Sequence, residues 1–429
     1  MIASVTNITP DTASSIWRNT AAWLKAADIA VVLLAIALPW STTFAAIFAV
    51  TWLVLLIPTA ERRDVSGFLA RPACLLPILL FALAVLGTLW ATDIPWAVRF
   101  HSVGQVAKLL AIPVLILHFE KSGRGLWVAL AFLASCTALM LASWLMFADT
   151  RLAFDPVRTV GVPVKNYISQ SQEFALCAFA VFGAAVYMLR RERKVAAACL
   201  AILGLGFVAN MVFVASSRTV LVCIPVLFVL FAMMHFSRSG SLIVIASVIV
   251  AAAVAWISSP YLRERTSMVM TEYQAYQGSN AVTSTGQRLE FWSKSIRFVA
   301  EAPIAGHGTG ATRALFERDA IGKTGVSAEV IANPHNQTLN VAIQWGLIGV
   351  VVLYAMWLMH LMLFAGATGL AAWVGLVAVV ENFVSSLFNS HLFDFTEGWI
   401  YVLAVGVAGG MVQLRKASVS TTPSGQAQA

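Results

Sequence analysis

The sequence predicts an all-α integral membrane protein of about 12 transmembrane helices, with one large outer loop that contains an amphipathic helix. Three observations carry that expectation. The chain is 59% hydrophobic and only 11% charged, whereas soluble domains carry roughly 25% charged residues. Apolar runs of about 17–25 residues, long enough to cross a hydrocarbon core, recur from end to end. The lysines and arginines fall unequally between alternate connections, which is how loops on the two sides of a membrane differ.

Taken in order, residues 1–25 form a polar cytoplasmic lead. Residues 26–258 hold nine spans, near 26–40, 42–58, 73–90, 104–119, 125–147, 172–189, 195–215, 220–236 and 241–258. The loop at 91–103 carries Asp93, Trp96, Arg99 and His101, and the polar segment 148–171 carries Arg151, Asp155, Arg158 and Lys165. Residues 259–337 form the large loop. Three last spans follow within 338–414, near 338–364, 369–388 and 399–414, and the Ser/Thr-rich tail 415–429 reads as disordered.

The side holding both termini carries 14 of the 28 lysines and arginines, the short segments of the other side six, and the long loop eight. Long loops count little in this rule, so the bias places both termini in the cytoplasm and the large loop outside. The net charge of +8 then reads as topology and lipid contact, not nucleic-acid binding. The five cysteines include no CxxC pair, so neither a disulfide framework nor a zinc site is expected.

The large loop is not a plain linker. Leu289, Trp292, Ile296 and Val299 recur at helical spacing, with Lys294, Arg297 and Glu301 on other faces. This spacing predicts an amphipathic helix along the membrane surface or over the bundle, covering a cavity. Gly306-His307-Gly308-Thr309-Gly310 lacks a preceding strand and reads as a flexible turn. Gly322-Lys323-Thr324 fails as a nucleotide loop, because Glu317 stands where the first glycine is required.

The stretch Asn333 to Gly349 closes the loop and opens the tenth span. Asn333 suits a helix cap and Pro334 a first helical position, which places His335 in the first turn at the membrane edge. An imidazole there can reach water and titrate near neutral pH. Gly346 and Gly349 lie one turn apart and offer a face on which another helix can pack. Arg218 lies in a very short turn between apolar helices, where a cation is costly unless it is paired or faces a wet cavity. Its guanidinium can hold phosphate oxygens with two parallel bonds. Arg288 opens the amphipathic helix, and Arg265 and Lys165 are subordinate cations of the same outer face. His391, Asp394 and Glu397 could meet on one helix face, although capping and pairing account for them more simply. Glu381 is an ionisable group within the eleventh span. Acidic pairs are scarce in the outer loops, which points to group transfer without a metal: a histidine takes a proton from an attacking hydroxyl while arginines stabilise a departing pyrophosphate.

These residues resemble a known family. His335-Asn336, nine residues and then Gly346-x-x-Gly349 look like the signature of the bacterial O-antigen ligases. Ser217-Arg218 at a helix start, Gly286-x-Arg288 with Trp292, Pro303 and the Gly306-x-Gly308-x-Gly310 turn look like the wider ligase and polymerase superfamily. The resemblance implies a multi-pass enzyme of the Gram-negative inner membrane whose large loop is periplasmic. It implies transfer of O-antigen polysaccharide from undecaprenyl pyrophosphate to a terminal sugar of lipid A–core oligosaccharide. No metal, ATP or other cofactor is implied. The partners are those two substrates and the membrane lipids, with no nucleic acid. By match of motif, His335 takes the place of the essential histidine, Arg288 and Arg218 those of the essential arginines, and Asn336 that of the small polar residue after the histidine. Alternatives using the same donor are an O-antigen polymerase and a protein O-oligosaccharyltransferase; one of another class is a lipid or sugar transporter, for which the sequence lacks paired repeats.

Overall fold

The computed structural model describes residues 19–61, 66–67, 69–152, 160–215 and 217–420. Residues expected to form the start of the lead, together with Arg62, Arg63, Asp155, Arg158 and the tail beyond 420, lie outside the described residues, as does the side chain of Arg265.

The described residues are helical, with no strand. The helices are α1 (Thr20–Ala37), α2 (Thr42–Leu56), α3 (Pro72–Leu86), α4 (Trp96–Ala107), α5 (Ala111–Ser122), α6 (Gly125–Ala148), α7 (Tyr167–Leu189) and α8 (Lys194–Phe213). They continue with α9 (Arg218–His235), α10 (Arg238–Ser258), α11 (Pro260–Ser279), α12 (Ser284–Glu301), α13 (Ala311–Ala320), α14 (Gln337–Ala365), α15 (Leu370–Ser386) and α16 (Phe395–Ser420). Among the described residues ten helical stretches are long and apolar enough to cross a membrane, α4 and α5 together forming one of them. Two shorter apolar helices, α3 and α15, stand where the third and eleventh of the twelve expected spans lie. Residues 91–103 are not all loop, because Trp96–Ser122 forms one span-length helical stretch that includes Trp96, Arg99 and His101.

The main core draws on nearly every span, with Trp52, Phe119, Phe179, Phe207, Trp345 and Tyr401 among its fully buried large residues. Helix α16 packs along α5 and α15, and α7 packs along α8. By contrast α10 buries no residue fully; it packs on α9 and α11 along one half-buried face and leaves the rest of its surface exposed.

The 259–337 region is a small helical layer with its own core. Phe291 and Phe298 of α12 meet Leu315 and Phe316 of α13, and all pack on Ala91, Ile94 and Ile343. The buried face of α12 is Phe291, Lys294, Ser295 and Phe298. This corrects the expected apolar stripe in part: Val299 packs partly buried against this core, but Ile296 is 61% exposed, and Leu289 and Trp292 border a cavity. The reason is that α13 supplies the opposing wall, a partner that the spacing within α12 cannot reveal. Lys294 is buried in that wall, and an unpaired ammonium there would cost several kcal/mol. Asp319 at 2.9 Å, Glu290 at 3.8 Å and the Ser327 carbonyl offset the cost.

Gly346 breaks α14, with φ 59° and ψ −154°. The segment after α12 fills the break. The Leu347 and Ile348 amides donate to the carbonyls of Pro303 and Ile304, while the His307 and Gly308 amides donate to those of Ile343 and Gln344. A Cβ on Gly346 would lie 2.3 Å from the Ile304 oxygen, and one on Gly306 would lie 2.5 Å from the Gln344 carbonyl carbon. Both glycines have positive φ, which other residues rarely adopt. The Gly306–Gly310 turn is therefore packed and hydrogen-bonded, not the flexible turn expected. The neighbour of Gly346 is this backbone segment instead of a helix, and Gly349 lies against Val341 and Trp345 of its own helix.

Replacing Gly346 by alanine is expected to cost about 1–3 kcal/mol, since it forces a forbidden backbone region and a backbone clash. Thermal unfolding in detergent should show a lowered Tm. Gly104, in α4 with open space around it, is the control, and Gly104→Ala should leave the Tm unchanged or raised.

Candidate active site

The turn that carries His335 is built by asparagines. Helix α14 begins at Gln337, and its cap is Asn336, whose Oδ1 accepts from the Leu339 amide at 3.0 Å. Asn333 is therefore not the cap, and Pro334 is not at the first helical position. Asn333 Oδ1 instead accepts from the His335 amide at 2.9 Å and from the Ser390 hydroxyl at 2.7 Å. This local turn leaves His335 with a left-handed φ of 53°, just before the helix and not within its first turn. The helix starts later because two asparagine side chains three residues apart compete for backbone amides, and the second occupies the capping geometry.

The connection between α15 and α16 is fastened to the same place. The Asn336 amide group donates to the Leu387 carbonyl, Asn340 donates to Ser390, and Gln337 Oε1 accepts from the Leu392 amide. Asn389 meets the imidazole directly, with its Oδ1 2.8 Å from His335 Nδ1. The same Oδ1 accepts from the Ser390 amide at 3.0 Å. A backbone amide can only donate, so that atom is the oxygen and Nδ1 of His335 carries the proton. Nε2 then holds the lone pair of the neutral ring, and among the described residues no hydrogen-bond partner meets it. Burial lowers the His335 pKa below the usual histidine value, the Asn389 bond opposes the shift, and the Arg288 charge adds to it. The ring is therefore neutral at pH 7. Phe291 stacks on it at 6.2 Å between centroids, and Trp292 Nε1 donates to the His335 carbonyl at 3.4 Å. Helix α12 thus covers the histidine.

Beside this turn lies a cavity of about 380 Å³ bordered by Arg218, Thr285, Arg288, Leu289, Trp292 and Phe388, with Leu221, Val222 and Val269 extending its apolar wall. His335 does not border it, but Trp292, which does, donates to the His335 carbonyl. Arg218 is the first residue of α9, directly after its cap Ser217, as the sequence pattern predicts. Its guanidinium grips Glu272 of α11 with two bonds, at 2.8 and 2.7 Å. Arg288 makes no ion pair with a carboxylate among the described residues. Burial, and then the charge of Arg218, lower its pKa, but an arginine remains a cation under these conditions. The cavity therefore joins an apolar wall to two guanidinium groups, one paired and one not, which suits a phosphate carried on a lipid.

Other candidates lie elsewhere. Lys165 donates to the Leu38 carbonyl and pairs with Glu173 at 3.7 Å, so it turns into the helix bundle. Gly346 and Gly349 act through the backbone of α14. His391 is fully buried and held low, at about 4, by that burial. Burial, helped by the charge of Glu397, pushes Asp394 up to about 7. Glu397 accepts from Ser169 at 2.7 Å. Among the described residues no three His, Cys, Asp or Glu side chains are grouped to hold a metal ion. Lys323 pairs with Asp319 at 2.8 Å, a structural use of the failed nucleotide-loop lysine. Sequence reasoning missed Asn389, Glu272 and Thr285. Asn389 had a weak signal, as one of four consecutive non-aliphatic residues, Phe388-Asn389-Ser390-His391, between apolar runs. Glu272 had none.

No curated protein matches the chain. Residues 203–354 match the family described as O-Antigen ligase. That stretch holds Arg218, Glu272, Arg288, the break at Gly346 and the His335 turn, and over these residues the chain is similar to the O-antigen ligase family.

Proposed function

We propose that this protein is a periplasmic-facing glycosyltransferase that ligates O-antigen polysaccharide from undecaprenyl pyrophosphate onto a terminal sugar of lipid A–core oligosaccharide, without metal or ATP. The observation that carries the reading is His335, whose Nδ1 meets Asn389 and whose Nε2 meets no hydrogen-bond partner among the described residues, beside a cavity with two arginines and an apolar wall. The family match supports the class of reaction.

In this reading His335 Nε2 takes the proton from the acceptor hydroxyl as its oxygen attacks the anomeric carbon of the donor glycan. The bond from that carbon to the pyrophosphate oxygen breaks, and the leaving group departs with the electron pair. Attack opposite the leaving group inverts the anomeric centre. Arg288 and Arg218 stabilise the charge gathering on the pyrophosphate, while Leu221, Val222 and Val269 line the way for the lipid chain. Asn389 sets the tautomer that makes Nε2 the base, so it is a positioning residue. Both termini are then cytoplasmic, in the inner membrane, with the 259–337 layer in the periplasm.

The test uses purified protein in liposomes with undecaprenyl-pyrophosphate-linked glycan and rough lipopolysaccharide, in EDTA and without nucleotide. Capped lipopolysaccharide is the expected product. A lengthened donor glycan would make the protein a polymerase. Glycan on serine or threonine peptides would make it a protein transferase, and lipid crossing the bilayer with no new bond would make it a transporter. His335→Ala is expected to lower the transfer rate about 10²–10⁴-fold while the protein still inserts and melts normally.

The pH profile supplies a second prediction. A base whose pKa is lowered is active at neutral pH and loses activity only as pH falls below the usual histidine range, near 6.5. Asn389→Asp places a carboxylate against Nδ1, favours the imidazolium, and should move the acid limb up by about one unit or more. An unmoved limb in that variant would separate His335 from the titration that limits the rate.

A further inference from the structure

The arginine cavity poses a problem of selectivity. Two guanidinium groups beside an apolar wall at a membrane attract any lipid that carries a phosphate, and bulk anionic phospholipids outnumber a rare donor. The Arg218 fork is occupied by Glu272 in this structure. That carboxylate accepts from Arg218 Nη1 and Nη2 at 2.8 and 2.7 Å, from the Thr285 amide at 3.0 Å and from the Thr285 hydroxyl. Thr285 is in the first turn of α12, after the cap Thr283, so its amide points outward from the helix start. Fork, amide and hydroxyl form a set of donors suited to one phosphate group, and here they surround an anion built into the chain.

We propose that Glu272 is a specificity-determining residue: its carboxylate holds the anion position against singly charged phosphodiester headgroups and yields it to a diphosphate. A phosphodiester would replace one negative charge by another, lose a fitted set of four donors and set the Glu272 charge adrift. A diphosphate brings at least one further charge and reaches both the Arg218 fork and Arg288, which has no carboxylate partner among the described residues. Only the second exchange gains an interaction. Hydrogen bonding to Arg218 and Thr285 holds Glu272 at about 2, so neutral or mildly acid conditions do not release it by protonation and another anion must displace it. The Tyr276 hydroxyl bond to Glu290 at 2.9 Å keeps α11 against α12, so rotation of the Glu272 side chain is enough for the exchange.

The proposal rests on the reading of the donor as a lipid-linked diphosphate, but its test needs no turnover. The full chain in neutral detergent is titrated with inorganic pyrophosphate and, separately, with a short-chain phosphatidylglycerol. Wild type is expected to bind pyrophosphate at least about tenfold more tightly than phosphatidylglycerol. In Glu272→Gln both should tighten, the phosphatidylglycerol more, so that the ratio falls by about tenfold, the size of a charge-assisted contact. An unchanged ratio, or weaker binding of both anions, would overturn the proposal. If Glu272→Gln melts early, Thr285→Val removes one donor to the carboxylate and should lower the ratio by about three- to fivefold; an unchanged ratio there has the same force. Absence of glycan transfer with this discrimination intact would count against the transferase reading alone.

Discussion

The site depends on an exchange of backbone hydrogen bonds at Gly346. A helix broken within a membrane protein leaves amides and carbonyls without partners, and each costs several kcal/mol in an apolar surrounding. Here the partners come from Pro303, Ile304, His307 and Gly308, the segment directly after α12. The exchange therefore fixes where α12 ends. With that end fixed, Phe291 lies on the His335 ring and Trp292 reaches its carbonyl, while Arg288 lies near enough to lower the imidazole pKa. The 259–337 layer is joined to α14 by main-chain bonds as well as by side-chain packing.

Electrostatics around this frame separates its charges by role. Lys294 and Asp319 form a buried pair within the layer; burial raises the Asp319 pKa, but Lys323, Lys294 and Arg297 together hold it well below the carboxylate range. Arg218 is balanced by Glu272. Arg288 has no carboxylate partner among the described residues, and it lies next to a histidine whose pKa burial lowers. A cation without a carboxylate beside a buried imidazole favours an incoming anion, because the charge it lacks would arrive with the ligand.

Much of this was legible in the chain. Hydropathy pointed to the ten helical stretches that are long and apolar enough to cross a membrane, because apolar length is a one-dimensional property, while α3 and α15, expected as full spans, are shorter helices. The Ser217-Arg218 helix start was readable because capping is local. Asn333 misled because two capping residues three apart compete, and the winner is decided by Ser390, 57 residues away. The buried stripe of α12 misled for a similar reason: α13 covers Phe291 and Phe298 instead of Ile296. Glu272 and Asn389 act on Arg218 and His335 across 54 residues each. No periodicity links such distant positions, so only the folded arrangement brings them forward.

The break at Gly346 also has a mechanical consequence. It divides α14 into a stub, Gln337–Trp345, and a rod, Leu347–Ala365. The stub is fastened by the 387–392 connection and by the His307 and Gly308 amides, and the start of the rod by the Leu347 and Ile348 bonds to Pro303 and Ile304; beyond that the rod is a span-length helix with Val351, Leu358 and Met362 exposed along it. When a bilayer is thicker or thinner than its spans, helices tilt to compensate. A continuous α14 would carry that tilt directly into the His335 turn. With the helix broken at Gly346 and both sides of the break tied to residues 303–308, the pull of a tilting rod meets that anchor before it reaches the stub and the His335 turn.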